Sequence, residues 1–383
     1  MESVPYLWVD SPALLSQMTA ALSHASRVAI DSEGDSLYHY REKICLIQFS
    51  TDEQTFILDP LALRDLKSLA PIFADPDVEK VFHAAINDIA GLRRDFGFAF
   101  AGIFDTQAAA QLLGYEQTGL AALLEQLLGV HHPKERQQDD WSRRPLNQEQ
   151  LEYAARDTHH LLDLRDLLER KLRELNRWEW AEEEFVYLAA TERVSREFDP
   201  EGFRRIKGSR ELQPKEQAAL RALYVLREQY AQELNLPPFK VINNPVLLDL
   251  ARRPPARLSE VLQRKGLPSR LLARLAPQIL DAVCVGLSQD LSGNGDPGSR
   301  ERWRPPSAEF RKRLERVKKW RMEKSRALEL PPGVLFPGFL LEWLAGLPSA
   351  TLEDLRSNPE VRRWRVEAFG VEIVQLLNDG RSV

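Results

Sequence analysis

The stretch Val28-Ala29-Ile30-Asp31-Ser32-Glu33 constrains this chain more than any other. An apolar run ends in two carboxylates placed two residues apart. On a strand, side chains at i and i+2 share a face, so Asp31 and Glu33 project into one small space. Like charges held there repel unless a cation lies between them. The pattern reads either as half of a metal site at a strand end or as two solvated charges entering a turn at Gly34 and Asp35. Whether other carboxylates arrive with matching geometry decides between these readings.

The surrounding pattern is that of an α/β domain, with helices packed on a mixed sheet. Leu14, Leu15, Met18 and Leu22 fall at helical spacing within a lead-in of residues 1–26. Residues 28–33, 44–49 and 55–58 read as adjacent strands. A helix over 64–73 and a fourth strand at 80–82 follow. A helix opening near Ala85 carries Asp88 in its first turn or two. There an acid serves the helix dipole, or supplies a third carboxylate beside the strand. Asp105-Thr106 reads as the cap of the first of two helices, over 108–113 and 120–128.

Residues 129–146 form a polar loop. His131 and His132 lack a partner at zinc-ligand spacing. Lys134, Trp141, Arg143 and Arg144 interleave positive charge with one aromatic, which suits a nucleic-acid strand; a solvated loop packed by Trp141 is the alternative. A single long helix is expected over 147–175, with Tyr153 and Asp157 one turn apart on one face. An acid on that apolar side needs neutralising, by an arginine such as Arg156 or Arg165 or by a metal.

Four carboxylates converging from separate elements make an all-oxygen site, which suits hard cations such as Mg²⁺ or Mn²⁺. Two ions about 4 Å apart clamp the attacking water and leaving oxygen of an in-line displacement at phosphorus. Tyr153, with an ordinary pKa near 10, would orient that water through its hydroxyl.

The net charge of −5 divides unevenly. Residues 1–190 carry −14 and residues 191–383 carry +9, so the rear half suits a phosphate backbone. No signal peptide or membrane span is expected. The two cysteines, Cys45 and Cys284, are far apart in sequence and form no disulfide framework, which makes the cytoplasm the default location.

Asp31-Ser-Glu33, Asp88 within His-Ala-Ala-Ile-Asn-Asp, and Tyr153-Ala-Ala-Arg-Asp157 resemble the three motifs of the DEDD superfamily of 3′→5′ exonucleases, in its tyrosine subclass. The resemblance covers roughly residues 20–175, including Ile44-Cys-Leu-Ile-Gln-Phe and Asp140-Trp-Ser-Arg-Arg-Pro-Leu. Asp139 departs from it, since a small polar residue is commoner there. It implies a ribonuclease H-like catalytic domain (1–190), with Asp31, Glu33, Asp88 and Asp157 binding two divalent cations and Tyr153 catalytic.

The rear half repeats at an offset of about 94 residues: Leu236-Pro-Pro returns as Leu330-Pro-Pro, and Leu247, Leu250 and Ala251 as Leu341, Leu344 and Ala345. The copies, 207–289 and 307–378, resemble all-α HRDC domains and flank a Gly/Pro/Ser-rich linker, 290–306. Arg311, Lys312, Lys318 and Lys319 lie in the densest basic run, the expected phosphate-binding surface. The resemblance implies a metal-dependent exoribonuclease that trims tRNA precursors or other structured RNA; a monomer without a membrane partner is expected. A DNA exonuclease and a catalytically silent RNA-binding adaptor remain alternatives.

Overall fold

Six stretches rich in β-branched and aromatic residues pair into one mixed sheet. The computed structural model describes residues 4–132, 135–191, 198–289, 307–347 and 349–378. The strands are β1 (Tyr6–Val9), β2 (Arg27–Gly34), β3 (Ile44–Ser50), β4 (Thr55–Leu58), β5 (Glu79–Phe82) and β6 (Ile103–Asp105), in the order β1-β4-β3-β2-β5-β6. Strands β2, β3 and β4 form an antiparallel ladder, while β1, β5 and β6 pair parallel to β4, β2 and β5. Both edge strands, β1 and β6, lie outside the expected set, being short runs beside stronger helix signals.

Alternation along β2 sorts its side chains between two cores. Val28 and Ile30 join Met18, Leu22, Ile89 and Leu92 on one face of the sheet, while Ala29 faces Leu161 and Leu164 on the other. The first face is covered by α1 (Pro12–Ser23), α2 (Ala70–Ala74) and α3 (Ile86–Phe96). The helix expected over 64–73 is shorter, a 3₁₀ turn at Lys67–Leu69 running into α2. Next come α4 (Thr106–Leu112), whose cap Asp105 accepts from Ala108 N at 2.9 Å, and α5 (Leu120–Leu128).

The expected helix over 147–175 is two helices, α6 (Gln148–His159) and α7 (Leu161–Glu174), followed by α8 (Trp178–Ala190). The break is at His160, whose φ of −104° and ψ of 7° leave the helical region. It lets α6 lie over β3 and β4 while α7 lies over β2 and β5.

A second unit comprises Asp35–Lys43 and Arg193–Arg304. Its helices are α9 (Pro214–Leu234), α10 (Pro238–Val241), α11 (Asn244–Arg252), α12 (Leu258–Leu262) and α13 (Ser269–Ser288) around Leu220, Leu223, Leu247, Leu250 and Ile279. By length and composition α13 alone among the described helices could cross a membrane. One face of it packs into this unit's core: Leu275, Ala276, Ile279 and Val283 are buried, and Gly286 lies so close to Ala219 that a Cβ would meet its Cα at 2.5 Å. Cys45 is buried in the sheet and Cys284 is exposed on α13.

The same succession recurs in α14 (Ala308–Leu328), α15 (Pro332–Leu335), α16 (Gly338–Gly346), α17 (Leu352–Ser357) and α18 (Arg363–Asn378). This second copy belongs to the same unit as the sheet. Leu335, Leu341, Trp364 and Phe369 share one core with Leu112, Leu164 and Phe185. The expected linker, 290–306, lies outside the described residues.

Candidate active site

Strand β5 pairs with β2 only as far as Ala29↔Val81, so Asp31 and Glu33 run on past its end. They keep their antiparallel partners on β3, Gln48 and Leu46, before a bulge between Glu33 and Gly34. Helix α3 starts beside that opening and carries Asp88 in its first turn. Helix α6, held at its start by a capping box between Asn147 and Gln150, presents Tyr153 and Asp157 from above. One carboxylate oxygen each from Asp31, Glu33 and Asp157 lies within 4.8 Å of the others. Asp88 is not part of this set, and its carboxylate accepts from the Ser32 hydroxyl.

The electrostatics are those of charges crowded away from water. Burial, then the negative charges of Asp157 and Asp88, push the Asp31 carboxyl well above its usual range. Burial and Asp31, Asp157, Asp88 and Asp139 do the same to Glu33. Burial followed by Asp88 raises Asp157, and burial takes Asp88 up to about 6 despite its bond from Ser32. Asp157 Oδ2 is buried without a hydrogen-bond partner among the described residues. This oxygen-only donor set, with mutual repulsion and an orphaned oxygen, fits a hard divalent cation.

Tyr153 is buried, and burial together with Asp157 and Glu33 raises its pKa, so it presents a protonated hydroxyl. Of the two arginines considered for Asp157, Arg165 bonds Glu79, Asp166 and Glu169, and Arg156 lies 3.6 Å from Glu152. Oδ1 of Asp157 instead lies 2.8 Å from Nε2 of His132, whose ring centroid is 5.9 Å from that of Tyr153.

Comparison with known proteins identifies the domains. Residues 6–173 match the 3′-5′ exonuclease family, and residues 216–283 and 310–377 match the HRDC domain. Ribonuclease D of Nitrobacter hamburgensis is 32% identical over 286 residues, 74% of each chain. That of Granulibacter bethesdensis is 30% identical over 370 residues, 95% of this chain and 90% of its own. The chain belongs to the ribonuclease D family.

It is therefore an enzyme, a hydrolase with 3′→5′ exoribonuclease activity that uses divalent metal. Protein RRP6-like 3 of Arabidopsis thaliana is 40% identical over 171 residues, though the match spans 19% of that protein's length. The fold also recurs in the crystal structure of Escherichia coli RNase D, with a TM-score of 0.72 over 99% of this chain and 100% of that one at 23% identity. The catalytic core of RRP6 from Trypanosoma brucei superposes with a TM-score of 0.69 at 28% identity, over 74% of this chain and 81% of that one.

The expected nucleic-acid contacts of this ribonuclease D-family chain divide. Trp141 is a correction: at 1% exposure it packs under Tyr153, with ring centroids 6.1 Å apart, and no base can stack on it. Arg144 is another. It holds Asp59 with two donors at 2.7 Å each and bonds the carbonyls of Cys45, Trp141 and Arg143, which leaves no donor for a phosphate. Arg143 is 80% exposed beside Asp140. Lys134 lies outside the described residues. Arg311, Lys312, Lys318 and Lys319 are all exposed on α14. Sequence reasoning missed His132 because its partner is on another element, and ligand spacing gives no signal for such a pairing.

Proposed function

We propose that Asp31, Glu33, Asp88 and Asp157 hold two divalent cations, Mg²⁺ or Mn²⁺, and that the enzyme acts as a monomer in the cytoplasm. Its substrates are tRNA precursors or other structured RNAs with a free 3′ end, and its products are 5′-monophosphates. The observation that carries this reading is the approach of three carboxylates from a strand and a separate helix to within 4.8 Å. Cations bound there would supply a water of lowered pKa and charge to stabilise the departing 3′-oxygen.

The chain's own groups divide the remaining work. The Tyr153 hydroxyl stays protonated and hydrogen-bonds the attacking water from beside Asp157. Ser32 holds the Asp88 carboxylate in one orientation. The exposed cations of α14, together with Arg143, offer charge along the path of the RNA backbone.

The test is hydrolysis of 3′-labelled RNA by Asp31→Asn and Asp157→Asn, each checked for fold by circular dichroism. Both are expected to lose activity, as the unmodified enzyme does in EDTA. An active Asp157→Asn enzyme would overturn the assignment. Matched RNA and DNA oligonucleotides test the sugar, and a tRNA precursor with a 3′ extension tests the substrate.

A further inference from the structure

Gln48 is fully buried at the centre of the sheet, yet neither its Oε1 nor its Nε2 has a hydrogen-bond partner among the described residues. An amide left unpaired in a core is costly, and an apolar side chain of similar size avoids the cost. Its position gives it a use. Gln48 is the direct antiparallel partner of Asp31, so the two side chains leave the same face of the sheet with Cβ atoms about 5 Å apart. On the same face of β3, the Ser50 hydroxyl meets the Thr158 hydroxyl at 2.7 Å, one residue beyond Asp157. Across from Asp31 the row continues to Ile57, which packs with Tyr153 and Ala154 and offers the amide nothing polar. The side chain therefore lies under α6 between an apolar residue and the acidic cluster.

We propose that Gln48 is a positioning residue: its Nε2 turns to donate to Asp31 and fixes that carboxylate for cation binding. A neutral donor suits the place. A lysine would compete with the cation for Asp31, and a leucine would leave the carboxylate free to rotate. A bonded neighbour that orients a ligand commonly matters about 10- to 100-fold in metal affinity. The inference rests on the metal-site reading above.

The experiment is calorimetric titration of Mn²⁺ into the RNA-free enzyme and into Gln48→Leu, Gln48→Met, Ile57→Val and Asp157→Asn. Both Gln48 variants should bind Mn²⁺ about 10- to 100-fold more weakly, with melting midpoints in EDTA equal to or above that of the unmodified enzyme. The Mg²⁺ concentration giving half-maximal RNA hydrolysis should rise by the same factor. KM for RNA should be unchanged, and kcat should recover at saturating Mg²⁺. Ile57→Val, which alters the packing but keeps the amide, should bind Mn²⁺ normally. Unchanged Mn²⁺ affinity in both Gln48 variants, with binding lost in Asp157→Asn, would overturn the role of Gln48 alone. No Mn²⁺ binding by the unmodified enzyme would overturn the metal-site reading as well.

Discussion

Asp157 is where the competing demands on single residues are most visible. It is buried, charged at neutral pH only at a cost, and shares a few ångströms with Asp31 and Glu33. All four carboxyls have pKa values raised on folding, so the folded state favours their protonated forms. The stability this contributes is present below the unfolded carboxylate range near 4 and is lost as pH rises through the folded values, about 6 for Asp88. Without metal, the unit that holds the sheet should therefore weaken from pH 5 to pH 8, and added Mn²⁺ should restore it most at pH 8. Asp157→Asn removes one of the crowded charges while keeping an acceptor for His132. Melting in EDTA at pH 8 should show this variant above the unmodified protein, and added Mn²⁺ should no longer raise it as far. A lower midpoint in EDTA would contradict the repulsion. The carboxylates were legible because strand and helix periodicities fix which side chains share a face. His132 and the burial of Trp141 were not, since both depend on packing between distant segments.

At the scale of elements, α6 carries the chemistry and α14 carries the charge. The start of α6 is a reciprocal cap: Asn147 Oδ1 accepts from Gln150 N at 2.9 Å, and Gln150 Oε1 accepts from Asn147 N at 3.0 Å. Asn147→Ala should cost about 1 kcal/mol, read as a lowered urea midpoint. The sequence shows the start of α6 but not its end, because the break at His160 answers to the strands beneath and not to a Pro or Gly. For α14, the sequence shows a basic run and the structure shows Arg311, Lys312, Lys318, Lys319 and Arg326 exposed. Lys318 and Lys319 also approach Glu315 and Glu323, at 3.1 and 3.9 Å, pairings weak enough at the surface for phosphates to displace. Reversing Arg311, Lys312, Lys318 and Lys319 together should weaken RNA binding and flatten its salt dependence, by about 0.7 to 0.9 in logarithmic slope for each phosphate no longer neutralised. Filter binding across a salt series measures this, and an unchanged slope would remove α14 from the RNA path.

Across the whole molecule, the repeat in the sequence hides a difference in what each copy does. The two copies share a helical plan, but the second is built into the core of the catalytic unit. The Arg177 guanidinium donates to Leu112 O at the end of α4 and to Leu328 O at the end of α14, at 2.8 and 2.7 Å. Cations suit the negative ends of both helices. Gly114, with φ +88°, is required there, since a Cβ would meet Glu329 O at 2.0 Å. Trp180 stacks on Trp364 with centroids 4.4 Å apart. Glu183 takes the backbone amides of Arg363 and Trp364, capping α18 from α8. The first copy has its own core around Leu247 and Leu250. Two compact units imply two melting transitions, and the one that Mn²⁺ raises is the catalytic unit's. Trp364→Ala, removing a buried aromatic at about 3–5 kcal/mol, should lower the Mn²⁺-sensitive transition although Trp364 lies in an HRDC domain. Leu250→Ala, at about 2–5 kcal/mol, should lower the other transition and leave the Mn²⁺-sensitive one in place. Calorimetric scans with Mn²⁺ and with EDTA distinguish the two, and equal shifts of both transitions in either variant would refute the division.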